Sequence, residues 1–169
     1  MIEKYAARHS SSPPSATGGN VPGRDERRPA APFVSGNKPL RVFIADDSRV
    51  VMERLIALLA TVEKVQIVGA ARTVSAAIRG IQHLSPDLVI LDFQMPDGTG
   101  IDVLKAIRQD KVPSLVLMLT NFAYSQYRTQ CMRYGADYFF DKSQDFEQVI
   151  ETCRQLLSVT AMKSEAIKE

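Results

Sequence analysis

The chain is poor in the residues that cross-link or metallate small proteins. Its 169 residues hold two cysteines and two histidines. Cys131 and Cys153 are far apart, and neither has a CxxC or CxxH companion. That leaves no zinc-ligand spacing, and the two read as reduced thiols on helices rather than as a disulfide. No stretch approaches the roughly 18 apolar residues of a membrane span. The opening MIEKYAARHSSSPPS has no apolar core of a secretory signal. A cytoplasmic protein without a membrane partner is expected. Nothing repeats at a fixed period, which excludes a solenoid. Excess charge is also slight, +2 overall. Residues 1–38 carry six Lys/Arg against three acids, and the remainder is nearly balanced. A basic face for direct DNA binding is therefore not expected on the body of the chain.

What is present divides the chain in two. Six of the nine prolines fall in the first 39 residues, beside Ser11, Ser12, Gly18 and Gly19. Such a segment buries too little apolar surface to offset its ordering entropy, so 1–38 reads as a disordered, basic Pro/Ser/Gly-rich tail. From Leu40 onward apolar runs alternate with amphipathic ones. LRVFIA (Leu40–Ala45), VQIVGAA (Val65–Ala71), DLVILD (Asp87–Asp92), SLVLMLT (Ser114–Thr120) and DYFFDK (Asp137–Lys142) read as strands. Ser48 and Thr73 suit the caps of two helices, the first with Met52, Leu55, Ile56 and Leu59 at helical spacing. A loop with Pro96, Gly98 and Gly100 precedes a helix carrying Ile101, Leu104 and Ile107. Ala123–Tyr134 forms the next, ended by Gly135, and Phe146, Val149, Ile150, Cys153 and Leu157 mark the last. Strands apolar on both faces, alternating with helices, imply an α/β fold: a five-stranded parallel sheet with helices on both faces.

Ligands of such sheets bind beyond the carboxyl ends of the strands. The residues there form a coherent set: Asp46 and Asp47, Asp92, Thr120 and Lys142. Asp87 begins its strand and belongs to the opposite end. Three carboxylates in one pocket repel, at about 3 kcal/mol per pair for roughly 5 Å and an effective dielectric near 20. Uptake of a proton or a bound cation relieves this, and oxygen ligands with no neighbouring His or Cys favour Mg²⁺. A carboxylate flanked by a metal, an ammonium and a hydroxyl can attack phosphorus while its neighbours stabilise the phosphoryl oxygens. Asp92 is the expected phosphate acceptor.

These residues, with VILDFQMPDGTG (Val89–Gly100) and GADYFFDK (Gly135–Lys142), resemble the receiver domain of two-component response regulators over roughly residues 39–158; residues 159–169 read as a helix end or tail. The resemblance implies a doubly wound, flavodoxin-like sheet of order 2-1-3-4-5. It implies phosphoryl transfer onto Asp92 from a sensor histidine kinase or histidine phosphotransfer protein. Asp47 would bind Mg²⁺ directly, Asp46 mainly through water, and Gln94 through its backbone carbonyl. Lys142 and Thr120 would hold phosphoryl oxygens, and Phe139 occupies the aromatic switch position. Where many receivers have a cis proline after the lysine, this chain has Ser143, and a trans peptide is expected. Gln94, Asn121 and Phe122 stand where bulk excludes hydrolytic water, so self-dephosphorylation is expected to be slow. A phosphohydrolase would want a second aspartate where Gln94 stands. The expectation is a signalling protein rather than an enzyme: a stand-alone receiver with an unknown downstream partner. Its readout face would be the fourth helix, fifth strand and fifth helix, with Tyr124, Tyr127, Arg128 and Phe139, and would suit a phosphorylation-dependent homodimer. The competing reading is a degenerate receiver, an interaction module that works without phosphorylation.

Overall fold

The computed structural model describes residues 38–166, with side chains through Ser158. The tail expected to be disordered thus lies outside the described residues, apart from Lys38. In chain order the elements are β1 (Leu40–Ala45), α1 (Arg49–Leu59), β2 (Val65–Ala71), α2 (Val74–Leu84), β3 (Leu88–Leu91), β4 (Gln94–Met95), β5 (Gly98–Thr99), α3 (Gly100–Gln109), β6 (Leu115–Thr120), α4 (Ser125–Arg133), β7 (Tyr138–Asp141) and α5 (Phe146–Ala166). Five strands form one parallel sheet in the order β2-β1-β3-β6-β7. This is the doubly wound order expected, with β6 and β7 as the fourth and fifth strands.

The two-faced apolarity of the central strands has a direct packing cause. Successive side chains of a strand point to opposite faces. Val42 and Ile44 of β1, Leu88 and Ile90 of β3, and Leu117 and Leu119 of β6 face a core shared with α1 and α5. Phe43, Ala45, Val89, Leu91, Val116 and Met118 face a second core beneath α2, α3 and α4. The sheet is a wall with a hydrophobic layer on each side, so no central strand has a polar face. Cys131 lies in the second core and Cys153 in the first. The sheet separates them, and burial raises their thiols to about 11 and about 12. They are free, buried core residues, as their lack of companions suggested.

The helices start where their caps allow. Ser48 Oγ accepts the Val51 N–H at 3.4 Å, and Thr73 Oγ1 accepts the Ala76 N–H at 3.2 Å. Gly135 ends the α4 segment at φ +99°, the left-handed region expected of it. Three details depart from the sequence reading. Ile56 is 40% exposed, because the buried line of α1 runs through Leu55 and Leu59 and one residue turns a helix by about 100°. The loop after Asp92 contains a two-residue hairpin, Gln94↔Thr99 and Met95↔Gly98, too short to show any periodicity. The α4 helix begins at Ser125 rather than Ala123, since Tyr124 has an extended backbone (φ −68°, ψ 144°).

The amino-terminal end of the sheet is organised by Arg108 of α3. Its guanidinium donates to the carbonyls of Gly135 (2.8 Å), Ser114 (2.9 Å) and Val112 (3.1 Å), and lies 3.6 Å from the Asp137 carboxylate. Asp137 in turn accepts the Val116 N–H at 2.8 Å. One side chain thereby fixes the approaches to β6 and β7, the strands that deliver Thr120 and Lys142. Arg108→Ala is expected to cost about 3 kcal/mol in urea unfolding, as several charge-assisted bonds to partly buried carbonyls are lost together. Arg108→Lys should recover less than half, because an ammonium cannot serve carbonyls arranged around a planar fork. Wild-type stability in Arg108→Ala would contradict this account.

Candidate functional site

Four strand ends and the loops that follow them converge at the carboxyl edge of the sheet. Asp46 follows β1 and is 2% exposed; Asp92 follows β3 and is 7% exposed. Thr120 closes β6, wholly buried, and Lys142 follows β7 at 7% exposure. Lys142 Nζ lies 2.6 Å from Asp46 Oδ2 and 2.8 Å from Asp92 Oδ2. The remaining oxygens of these carboxylates accept backbone N–H groups, Asp46 from Ser48 at 2.9 Å and Asp92 from Phe93 at 2.7 Å. The side chain of Asp47 is exposed. Carboxylate oxygens of Asp46, Asp47 and Asp92 nonetheless all lie within 4.8 Å of one another.

Burial raises the Asp92 carboxyl above its ordinary range. The Lys142 hydrogen bond and charge oppose that shift, and the charge of Asp46 adds to it. One ammonium against three carboxylates leaves two negative charges, which a divalent cation would balance. The donors are all oxygen, and one carboxylate opens to water, so the set fits a hard ion such as Mg²⁺ and not a soft one.

The other residues singled out by sequence are placed as follows. Gln94 is exposed at the start of the hairpin, two residues beyond Asp92. Asn121 and Phe122 are exposed in the loop between β6 and α4. The Phe122 N–H donates to Thr120 Oγ1 at 3.1 Å, so that hydroxyl is at present an acceptor for its own loop. Tyr124 is 64% exposed and Tyr127 half-buried. Phe139, expected on the readout face, is instead 2% exposed within the core beneath α4. As a β7 residue it points to that side of the sheet, and Arg128 closes over it. The Arg128 guanidinium sits 5.0 Å from the ring centroid and donates to the Phe139 carbonyl at 3.0 Å. The Lys142-Ser143 peptide is trans. Its turn is held by Asp141, whose Oδ1 accepts the Ser143 N–H at 2.7 Å and hydroxyl at 2.6 Å.

Sequence reasoning passed over several contributors. Phe93 supplies the amide that holds Asp92 and packs against Tyr127 with the rings tilted at 44° and centroids 4.7 Å apart. Gly100 packs so closely on the acceptor loop that a Cβ there would press into the Asp92 carbonyl oxygen. The Gly100 N–H donates to the Phe93 carbonyl at 2.7 Å. Arg72 donates from Nε to the Asp47 carbonyl at 3.0 Å. Position next to Asp92 was the available signal for Phe93; no local pattern marks Arg72.

Comparison with known proteins gives a consistent result. The sequence profile of the response regulator receiver domain matches residues 42–154. An uncharacterised response regulatory protein of Vibrio cholerae is 32% identical over 118 residues, 70% of this chain and 48% of the relative. The chain spans about half the length of the curated relatives it matches. Among solved structures, the signal receiver domain of the putative response regulator NarL from Mycobacterium tuberculosis shares 26% identity and a TM-score of 0.67, over 72% of this chain and 98% of that one. A chain of the CheX-CheY-BeF3-Mg+2 complex from Borrelia burgdorferi shares 28% identity and a TM-score of 0.61, over 68% of this chain and 86% of that one.

The raised Asp92 has a measurable consequence. The folded, metal-free chain holds that proton more tightly than the unfolded chain does, so ionisation of Asp92 lowers stability as pH rises from 3.8 through the folded value. Asp92→Asn removes the loss. In chelator at neutral pH its thermal midpoint is expected to equal or exceed that of wild type, with the gap narrowing on acidification. A midpoint several degrees lower at neutrality would mean that the Lys142 ion pair outweighs burial.

Proposed function

The chain belongs to the response regulator receiver domain family, and on that premise we propose that Asp92 accepts a phosphoryl group from a phosphohistidine donor in two-component signal transduction. The observation that carries the proposal is the bridging of buried Asp46 and Asp92 by Lys142, beside an exposed third carboxylate. One oxygen of Asp92 attacks phosphorus, the P–N bond of the donor breaks, and the imidazole nitrogen leaves with the electron pair. Lys142 exchanges its contact with Asp92 for a phosphoryl oxygen, so its charge stays compensated throughout. Asp47, Asp92 and the Gln94 carbonyl would hold Mg²⁺, with Asp46 acting mainly through water, and the ion would supply charge that stabilises the transferring oxygens. Thr120 turns its hydroxyl from the Phe122 amide toward another of those oxygens.

That turn is the step from chemistry to signal. Releasing the Phe122 amide loosens the loop ahead of α4, and α4 carries Arg128, the lid on Phe139. The reading extends to a response regulator whose output is its own surface around α4, β7 and α5, where Tyr124 stands exposed for a downstream protein or a second phosphorylated copy. It is a cytoplasmic signalling protein that catalyses only its own phosphorylation and slow dephosphorylation. Asn121, Phe122 and Gln94 slow the latter by covering the approach of water. No helix among the described residues is long and apolar enough to cross a membrane.

Incubation with a small phosphodonor and Mg²⁺ is expected to give an Asp92-dependent shift on a phosphate-sensitive gel, absent in chelator and in Asp92→Ala. Phosphotransfer profiling against histidine kinases would then identify a kinetically preferred donor. The phosphorylated Asn121→Ala variant should decay faster than wild type. A protein that takes no phosphate at Asp92 would be the interaction module instead, and unchanged decay in Asn121→Ala would remove the tuning role of that residue.

A further inference from the structure

The two loops that would hold the metal are tied to a common anchor, the start of α2. From one side, Arg72, just ahead of α2, donates to the carbonyl of Asp47 at 3.0 Å. From the other, Asp97 in the turn of the β4–β5 hairpin accepts from the amides of Val74 at 2.5 Å and Ser75 at 3.0 Å, and from the Ser75 hydroxyl at 2.8 Å. The hairpin also runs close to the helix, leaving little space at Gly98, where a Cβ would come within 3.2 Å of Val74 Cγ2.

The first amides of a helix have no partner within it. The adjoining sequence supplies one acceptor, Thr73 Oγ1 for Ala76. Those for Val74 and Ser75 come from Asp97, 23 and 22 residues away. The Ser75 amide above all, and that of Val74, hold the Asp97 carboxyl below its ordinary range, so it is ionised wherever the site is in use. A local cap would have served the helix equally well. A distant one immobilises the hairpin that begins with Gln94.

We infer that Arg72 and Asp97 are positioning residues for the divalent-cation site, setting the distance between the Asp47 loop and the Asp92–Gln94 loop through the amino terminus of α2. The inference rests on the receiver reading and adds to it a brace formed by residues that touch neither metal nor phosphoryl group. Outer residues that orient metal ligands commonly contribute 10- to 100-fold to affinity. A brace acting through backbone belongs at the lower end of that range.

Calorimetric titration of the full chain with Mg²⁺ at fixed ionic strength tests it, with Arg72→Ala as the discriminating variant. Arg72 is a cation beside a cation site, so loss of its charge alone should tighten Mg²⁺ binding, whereas loss of the brace should weaken it. The expected result is weaker binding, on the order of tenfold, in both Arg72→Ala and Asp97→Ala. Asp97→Asn should fall between Asp97→Ala and wild type, because one acceptor oxygen remains. Ser75→Ala, which removes a single bond, should lose less than Asp97→Ala and keep a metal-free thermal midpoint close to wild type. At saturating Mg²⁺ the phosphorylation rate of Arg72→Ala should return to the wild-type value, with only the half-saturating concentration moved. Binding as tight as wild type or tighter in Arg72→Ala overturns the brace. Absence of Asp47-dependent Mg²⁺ binding in the wild type overturns the receiver reading, and the brace with it. If Asp97→Ala does not fold, the exposed Arg72 carries the test alone.

Discussion

The contact on which the rest depends is the ammonium of Lys142 between two buried carboxylates. Asp46 and Asp92 are almost fully removed from water, and their repulsion at close range would oppose folding without a cation between them. Lys142 reaches them from β7, an edge strand two places from β3. Adjacent strands are about 4.8 Å apart, so a long, flexible side chain is needed where a shorter one would fall short. The ion pairs leave one carboxylate, Asp47, facing solvent. Three carboxylates about one ammonium suit a hard dication, and that donor set is the chemical basis of the acceptor role we propose.

Much of the remaining architecture holds this group of charges in place. The sheet supplies the convergence, with hydrophobic layers on both faces to keep its strands rigid. Backbone amides of Ser48 and Phe93 fix the carboxylate rotamers. Arg108 ties down the far ends of the strands that carry Thr120 and Lys142. Asp141 and Ser143 close the turn after the lysine with side-chain hydrogen bonds, where a proline would have used its ring. These are separate local solutions to one requirement, a cluster of like charges held at short range.

The exception to this rigidity is α4. It buries Cys131 and leaves most of its length exposed. Its contacts toward the site are aromatic, Tyr127 against Phe93 and, edge-on at 6.3 Å, against Phe122. An element with few buried contacts, joined to the acceptor loop through one ring pair, is suited to shift when that loop changes. Arg128 over Phe139 gives the same helix a hold on β7. A mostly exposed helix thus lies beside the buried charge cluster.

The class of fold, the strand ends and the identities of the charged cluster are legible without coordinates, because each is written in local pattern. Runs apolar on both faces declare buried parallel strands, and Asp46, Asp47, Asp92, Thr120 and Lys142 stand where those runs stop. The serine and threonine caps and the left-handed Gly135 were legible for the same reason. Tertiary structure alone decided that Phe139 lies inside rather than on the readout face, that Ile56 looks outward, and that a hairpin follows Asp92. It alone joined Arg72 to Asp47 and Asp97 to α2. These last two ties cross more than 20 residues of chain and run largely to backbone carbonyls and amides, which nearly every residue carries and no sequence pattern marks.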